Sequence, residues 1–576
     1  MRRITVILLL AAAGPLRAQE TRIVSISDAG TSGDGVSGSE GLDAVVDDQG
    51  DVLVLFSSYA TNLVAGDTNH IKDLFLRNVS AGTTTRVVMG LNGAEPDGDV
   101  IHGQITPDGR FVAFVSYATN LVSGDTNGRP DVFLLDRTSG VIELVSVDVR
   151  GEPTDGDSFG ASVTSDARYV AFFSFATDLM KSGLDTNGVA DVFVRDRKSA
   201  ATLCVSVDAS GLAGNGESRL PTLHTALSLD GGTVLFSSLA SNLVKGDNNG
   251  VQDVFARNLV NGITTRVSLD SGGAELATES FALALSPKGS VALFRCKDAN
   301  VLPGFSNGLT QAYARILGSG ELLPAAARSD GTPLATDNRF LAATIAGDDG
   351  SDFDPLVAFI ADDDGIVPGD VAGNEEVYVR RLRGGEVQQV SIGSDGGPPI
   401  YGRPTAMSVT LDGKYVAFDT NDFFEAPPDQ GFVIDVYLRG LCWTLFSEFG
   451  AGLGGSGGFA PRLFGRSGSC EDLGYSMHVR DGLGGTFGLL WIGFGRTAGT
   501  PLFGGTWYID FTKPRLILPL FLDGAAGAAG AGSLDLDGVN AEGLGSFSVY
   551  LQGMFVDAGA PFGVSLSNAT ELEIVE

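Results

Sequence analysis

Apolar residues in this chain come in short unbroken runs, each bounded by turn residues, and the runs return at a near-constant interval. One copy reads Thr106-Pro107-Asp108-Gly109-Arg110 and continues as Phe111-Val112-Ala113-Phe114-Val115. A run without polar alternation is what a strand covered on both faces requires. The Asp-Gly pair ahead of it predicts a tight turn back to an earlier strand near Gly103-Gln104-Ile105. After the loop Asp125-Thr126-Asn127-Gly128 comes a third run, Asp131-Val132-Phe133-Leu134-Leu135. Thr138-Ser139-Gly140 then turns the chain into a fourth, over 141–147. Each copy therefore predicts four short antiparallel strands.

Aligned on the residue after the second run, the copies fall at Tyr59, Tyr117, Phe175, Leu239, Lys297, Asp362 and Thr420, in steps of 58, 58, 64, 58, 65 and 58 residues. A fixed period of this size marks a repeat architecture, in which each unit buries its apolar face against its neighbours. Four antiparallel strands repeated around a ring make a β-propeller, so the expected fold is all-β with seven blades. The seventh copy has runs at 406–409, 415–419 and 433–438 but lacks its fourth. The missing pattern stands at the other end, as Thr21-Arg22-Ile23-Val24-Ser25; the fourth copy carries Thr265-Arg266-Val267-Ser268. The expectation is a ring closed by an N-terminal strand, which leaves no exposed edge to invite aggregation.

Residues 106–114 resemble the blade signature of TolB-type, WD-repeat-like propellers of bacterial envelopes, a Ser-Pro-Asp-Gly turn followed by an Ile-Ala-Phe strand. Further copies stand at 164–172, 228–236, 286–294 and 410–418, so the resemblance covers roughly 21–440. TolB itself carries an N-terminal α/β domain that does not precede these blades. The resemblance thus implies the propeller and not the Tol–Pal role.

At 576 residues the chain has room for a second domain. The repeat stops after Arg439, and glycine-rich tracts at 450–458 and 524–532 frame runs at 487–494, 506–511, 516–522, 547–556 and 571–575. Residues 441–576 are expected to form a small Gly-rich β-sandwich domain after the propeller of 19–440. Residues 567–572 resemble a strand found in Gly-rich tails of some secreted bacterial propeller proteins, a likeness that carries no activity. At the start, Met1-Arg2-Arg3, the apolar 4–13 and Leu16-Arg17-Ala18 read as a secretory signal peptide, with cleavage near Ala18. No later stretch reaches the ~18–20 apolar residues that span a bilayer. A periplasmic or extracellular location is expected, with no membrane insertion. The net charge of −32 argues against nucleic acid as a partner, because phosphate recognition needs Lys/Arg patches.

Four cysteines are too few for disulfides to carry the fold of so long an exported chain. Cys204 and Cys296 lie within strand patterns and read as small buried hydrophobes; pairing of Cys442 with Cys470 is left open.

The motif with most chemical content is Asp-x-Asn-Gly-x-x-Asp, between the second and third strands. It occurs as Asp67/Asn69/Asp73 (with His70 for the glycine), Asp125/Asn127/Asp131, Asp185/Asn187/Asp191 and Asp247/Asn249/Asp253. Such oxygens suit Ca²⁺, but one loop offers about three side-chain ligands where Ca²⁺ takes 6–8, and no bidentate Glu follows. Phe305-Ser306-Asn307 and Asp370-Val371-Ala372 break the pattern in later copies. An Asn-Gly turn whose Asp side chains bond loop amides is the simpler role, so no metal or cofactor is assigned, with Ca²⁺ as the alternative. These loops share a ring face with the acidic inter-blade segments Glu95-Pro96-Asp97-Gly98-Asp99 and Glu152-Pro153-Thr154-Asp155-Gly156-Asp157. Gly454-Gly455-Ser456-Gly457-Gly458 matches Gly-x-Ser-x-Gly but lacks the strand before and helix after it that a nucleophile elbow needs. His70, His102, His224 and His478 show no metal-ligand spacing, although His102 and His224 lie near first strands and could approach the channel. No Asp or Glu stands out against the repeat, so no catalytic residue is assigned.

The expected protein is a non-enzymatic, exported, monomeric scaffold that binds a protein or glycan through its acidic loop-rich face. The alternatives are a propeller hydrolase or lyase acting on polysaccharide or peptide in its central funnel, and a Ca²⁺-stabilised surface protein.

Overall fold

The computed structural model describes residues 21–181, 184–221, 225–337, 342–347, 354–367, 374–392, 402–421 and 433–441. Beyond these it describes 445–449, 462–467, 474–482, 487–493, 496–502, 505–509, 515–522, 532–540, 547–557 and 564–574. The signal segment, His224, Cys442, Cys470 and the Gly-x-Ser-x-Gly stretch lie outside them.

Local chemistry sets the strand boundaries. In the second repeat, Thr106 Oγ1 accepts from Phe111 N at 2.9 Å and donates to Asp108 at 2.5 Å, so the Asp-Gly turn hands Val100–Ile105 directly to Phe111–Ser116. Asp131–Asp136 and Val141–Leu144 complete an antiparallel sheet. Seven such four-stranded sheets follow one another, and the chain forms a seven-bladed β-propeller. Blade 1 spans 37–86, blade 2 100–144, blade 3 158–204, blade 4 218–266, blade 5 280–324 and blade 6 343–389. Blade 7 takes Met407–Val409, Tyr415–Thr420 and Asp435–Gly440, and its outer strand is Thr21–Ile23, as the sequence pattern requires.

Each blade places one aromatic pair across its two middle strands. Phe114 faces Phe133 with ring centroids 5.6 Å apart, and Phe359 faces Tyr378 at 5.4 Å. The core lies between blades, where these rings meet aliphatic residues of the next sheet. A cluster of this kind joins blade 7 to blade 1, and Val24 from the N-terminal segment is part of it. The inter-blade loops return through glycines, which local patterning did not single out. A Cβ on Gly98 would come within 2.5 Å of the Tyr117 backbone, and one on Gly156 within 2.4 Å of Ala176 N.

The propeller unit takes 20–441 and a second unit takes 442–576. The second is all-β, with antiparallel sheets of five, three and two strands among its described residues. In the five-stranded sheet, Phe487–Gly493 lies between Arg515–Phe521 and Phe547–Val556, and Val564–Ile574 continues it to Leu445–Phe449. Strand order does not establish the sandwich packing expected from the sequence.

Candidate functional site

Two places on the propeller gather chemistry-bearing side chains: the face formed by the 2–3 loops with the inter-blade loops, and the central channel. On that face the acidic residues are tied into the scaffold. Asp97 of the loop between blades 1 and 2 accepts from Thr119 N at 2.7 Å and Thr119 Oγ1 at 2.8 Å; Asp155 does the same for Thr177 at 2.8 and 2.7 Å. Asp34 and Thr61 repeat the arrangement in blade 1. These bonds place the two loop families side by side, as the topology demands.

The Asp-x-Asn-Gly loops are built around their asparagine. Asn127 Nδ2 donates to Asp131 Oδ2 at 2.7 Å and to the Thr154 carbonyl at 3.2 Å, while its Oδ1 accepts from Arg129 N at 2.9 Å. Asn69, Asn187 and Asn249 make the corresponding bonds to Asp73, Asp191 and Asp253. In blades 2, 3 and 4 the second Asp also accepts a hydroxyl from a serine two residues past the outer strand: Ser146 to Asp131 at 2.6 Å, Ser206 to Asp191 at 2.5 Å, Ser268 to Asp253 at 2.6 Å. Burial pushes the Asp73, Asp131 and Asp191 carboxyls up to about 6. Ser25 makes the same bond to Asp435, at 2.5 Å, from two residues past the N-terminal strand.

The first Asp differs between blades. In blade 1, Arg86 Nη1 lies 3.4 Å from Asp67, 3.1 Å from Asp73 and 2.6 Å from Glu95. Blade 4 repeats the set with Arg266, Asp247, Asp253 and Glu275. In blades 2 and 3 the arginine position, paired with the central Phe, is Leu144 and Cys204. Cys204 is only partly buried, because it ends an outer strand, whereas Cys296 is buried as expected; both are free thiols. Burial of the Cys204 thiol pushes it up to about 12, which leaves it a poor nucleophile.

One feature of the face was not legible as a site in sequence. In four consecutive blades the residue used to align the repeats is a large, exposed apolar one: Tyr59 at 43%, Tyr117 at 46%, Phe175 at 40% and Leu239 at 50%. Rings link part of this arc. Tyr117 meets Phe159 at 6.5 Å, Phe159 meets Phe173 at 5.8 Å, and Phe173 meets Phe175 at 6.5 Å. The Arg219 guanidinium lies 5.3 Å from the Phe175 ring centroid, and Lys72 Nζ caps the Tyr59 ring at 4.9 Å. The remaining blades carry Lys297, Asp362 and Thr420 at this position, so the arc covers about half the ring.

The channel holds a recess of about 50 Å³ lined by Asp43, His102, Gln104, Ser162, Thr225 and Ser408 among others. His102 reaches it, as its place near a first strand suggested. It does so from a bulge between Ile101 and Gln104, with His102 itself at φ +50. Bulges re-aim side chains in this way. His478 lies in Gly474–Gly482 of the second unit, and His70 in the blade 1 loop. The polar groups in the recess stitch blades together. Asp43 accepts from Ser408 Oγ of blade 7 at 2.9 Å and from Ile105 N of blade 2 at 3.0 Å. Gln104 Oε1 accepts from Val163 N of blade 3 at 2.7 Å.

Desolvation deep in the channel raises the Asp43 carboxyl to about 6, above its ordinary value near 4. A raised carboxyl binds more protons folded than unfolded, so its contribution to stability is present below pH ~4 and is lost as pH rises through about 6. Asp43→Asn removes that titration. The variant should lose less stability than wild type between pH 4 and pH 6, read as denaturant midpoints at both pH values.

No family model matches this chain, and no curated protein matches it. Solved structures do. One is oligogalacturonate lyase in complex with manganese: 14% identity, 71% of this chain and 98% of that chain covered, TM-score 0.40. Another is the putative TolB from Agrobacterium tumefaciens, at 11% identity, 63% and 96% coverage and TM-score 0.32. A chain of the mitotic checkpoint complex matches at 11% identity, 76% and 98% coverage and TM-score 0.37. These likenesses concern the fold alone, which the sheet order already establishes.

Proposed function

We propose that this chain is an exported binding scaffold whose partner docks on the loop-rich acidic face. The observation that carries this reading is the exposed arc Tyr59, Tyr117, Phe175 and Leu239, set among the loop carboxylates of a rigid ring. Single exposed apolar residues mean little, but four at equivalent positions of neighbouring blades repeat one target along a single face. Rigid rings with few rotamers anchor an interface at low entropic cost. The partner best matched to this face is a protein segment with apolar and basic side chains. Leu239 offers apolar contact without the flat ring on which a sugar stacks, and the acidic surround attracts cations.

The test is selection from a displayed-peptide library beside a glycan array, using wild type, Tyr117→Ala/Phe175→Ala and Val260→Ser. Val260 is 87% exposed in the turn between Asp253–Asn258 and Thr264–Arg266, on the opposite rim. Peptides rich in apolar and basic residues should bind wild type and Val260→Ser alike. Their binding should fall roughly 30-fold or more in the double variant, as loss of anchors worth about 2 kcal/mol predicts. Equal binding by all three proteins would remove the arc from the interface. Selective capture of glycans would assign the face to carbohydrate.

A further inference from the structure

Blades 1 and 4 answer the buried carboxylates of their 2–3 loops with an arginine, and blade 2 does not. The positions correspond residue for residue. Arg86 and Arg266 pair with the central Phe75 and Phe255, and Leu144 pairs with Phe133 in the same way. The carboxylate that completes the arginine cluster also changes: Glu275 bridges Leu269 in blade 4, and Pro153 bridges Val147 in its place after blade 2. Cation and third carboxylate are thus exchanged together, while both loop aspartates, Asp125 and Asp131, remain.

Asp125 carries the consequence. The residue is 7% exposed, and among the described residues no side chain donates to either of its buried carboxylate oxygens, the backbone N–H of Asn127 being the donor near it. Its counterparts Asp67 and Asp247 each turn an oxygen toward the guanidinium, at 3.4 and 3.6 Å. The nearest cation along the chain, Arg129, is turned away to Asp157 at 2.8 Å. Asp131 uses Oδ1 for Ser146 and shares Oδ2 with Asn127. A buried carboxylate pair with no counter-charge is costly, and that cost falls when the pair is neutralised.

We propose that the Asp125–Asp131 pair of blade 2 binds a hard divalent cation, Ca²⁺ being the probe, in the place that a guanidinium occupies in blades 1 and 4. Two carboxylates balance a charge of two, and water completes the oxygen shell such an ion takes. The cation ties the 2–3 loop to the start of the third strand, as Arg86 ties them in blade 1. This site is separate from the partner-docking reading and stands or falls without it.

The experiment is Ca²⁺ titration calorimetry on the full chain, with melting curves in CaCl₂ and in EDTA, for wild type and two variants. Asp125→Asn removes a ligand. Leu144→Arg/Pro153→Glu transplants the blade 1 cluster and fills the proposed ion position with a guanidinium. Wild type should melt several degrees higher in Ca²⁺ than in EDTA, because a ligand held only by the native state stabilises it. Affinity should fall at least about tenfold in Asp125→Asn, since Ca²⁺ affinity follows ligand charge. The double variant should bind no Ca²⁺ at this site and melt at one temperature in both buffers, which keeps the test informative if Asp125→Asn fails to fold. Wild type that neither binds Ca²⁺ nor changes its melting point would overturn the proposal. So would Ca²⁺ affinity unchanged in the double variant, because the ion would then sit elsewhere on the acidic surface.

Discussion

Deleting residues 21–27 is expected to abolish the cooperative unfolding of the propeller. The deletion removes the outer strand of blade 7, whose pairs Thr21–Arg439, Arg22–Leu438 and Ile23–Tyr437 join chain positions more than 400 residues apart. It also removes Val24, which is 1% exposed, and the bond from Val24 N to the Val436 carbonyl at 2.8 Å. Ser25 leaves with them, stripping Asp435 of a buried hydroxyl donor. A buried valine contributes about 1.5–3 kcal/mol and each net hydrogen bond about 1 kcal/mol, so the loss should reach about 5 kcal/mol. That is the scale of a whole domain's stability. The open edge of Asp435–Gly440 should also promote association. Scanning calorimetry and light scattering would show a broadened, lowered transition and oligomers. A melting point within a degree or two of wild type would mean that the ring does not depend on its N-terminal closure. Adding the deleted segment as a free peptide should restore part of the lost stability.

Arg86→Leu should cost about 3–5 kcal/mol near pH 8, the range for stripping one partner from a buried ion cluster. Leucine keeps much of the aliphatic bulk, so the loss reports charge. The side chains of Asp67 and Asp73 are 4% and 0% exposed and would be left facing each other. Arg86 opposes the upward push of burial on both carboxyls, so its removal raises them further. Carboxyls raised in the folded state stabilise it at low pH, and that contribution disappears as they ionise. The gap between wild type and variant should therefore be small near pH 5 and wide near pH 8, measured by urea unfolding at each pH. An equal loss at both would assign the role of Arg86 to packing.

Much of the fold was legible because repeat period and turn chemistry are local. Thr106-Pro107-Asp108-Gly109 shows its turn within four residues, and the apolar run after it shows a strand covered on both sides. The N-terminal strand was legible because Thr21-Arg22-Ile23-Val24-Ser25 copies a pattern that the seventh repeat lacks. The site was less so. The seven alignment positions from Tyr59 to Thr420 served only as markers of register, since exposure depends on how loops of adjacent blades close around them. The bulge that turns His102 into the channel leaves no composition signal.

The amino-acid order by itself determined the number of blades, the strand boundaries and the closing of the ring, because each follows from contacts within one repeat or from comparing repeats. Only the tertiary structure decided which loop aspartates meet an arginine, and that four marker residues form an exposed arc. Those outcomes depend on how loops close over the strands, as Arg86 meets Asp67 and Asp73 within one blade and Asn127 bonds the Thr154 carbonyl of the next inter-blade loop, and reading each apolar run by itself does not place these encounters.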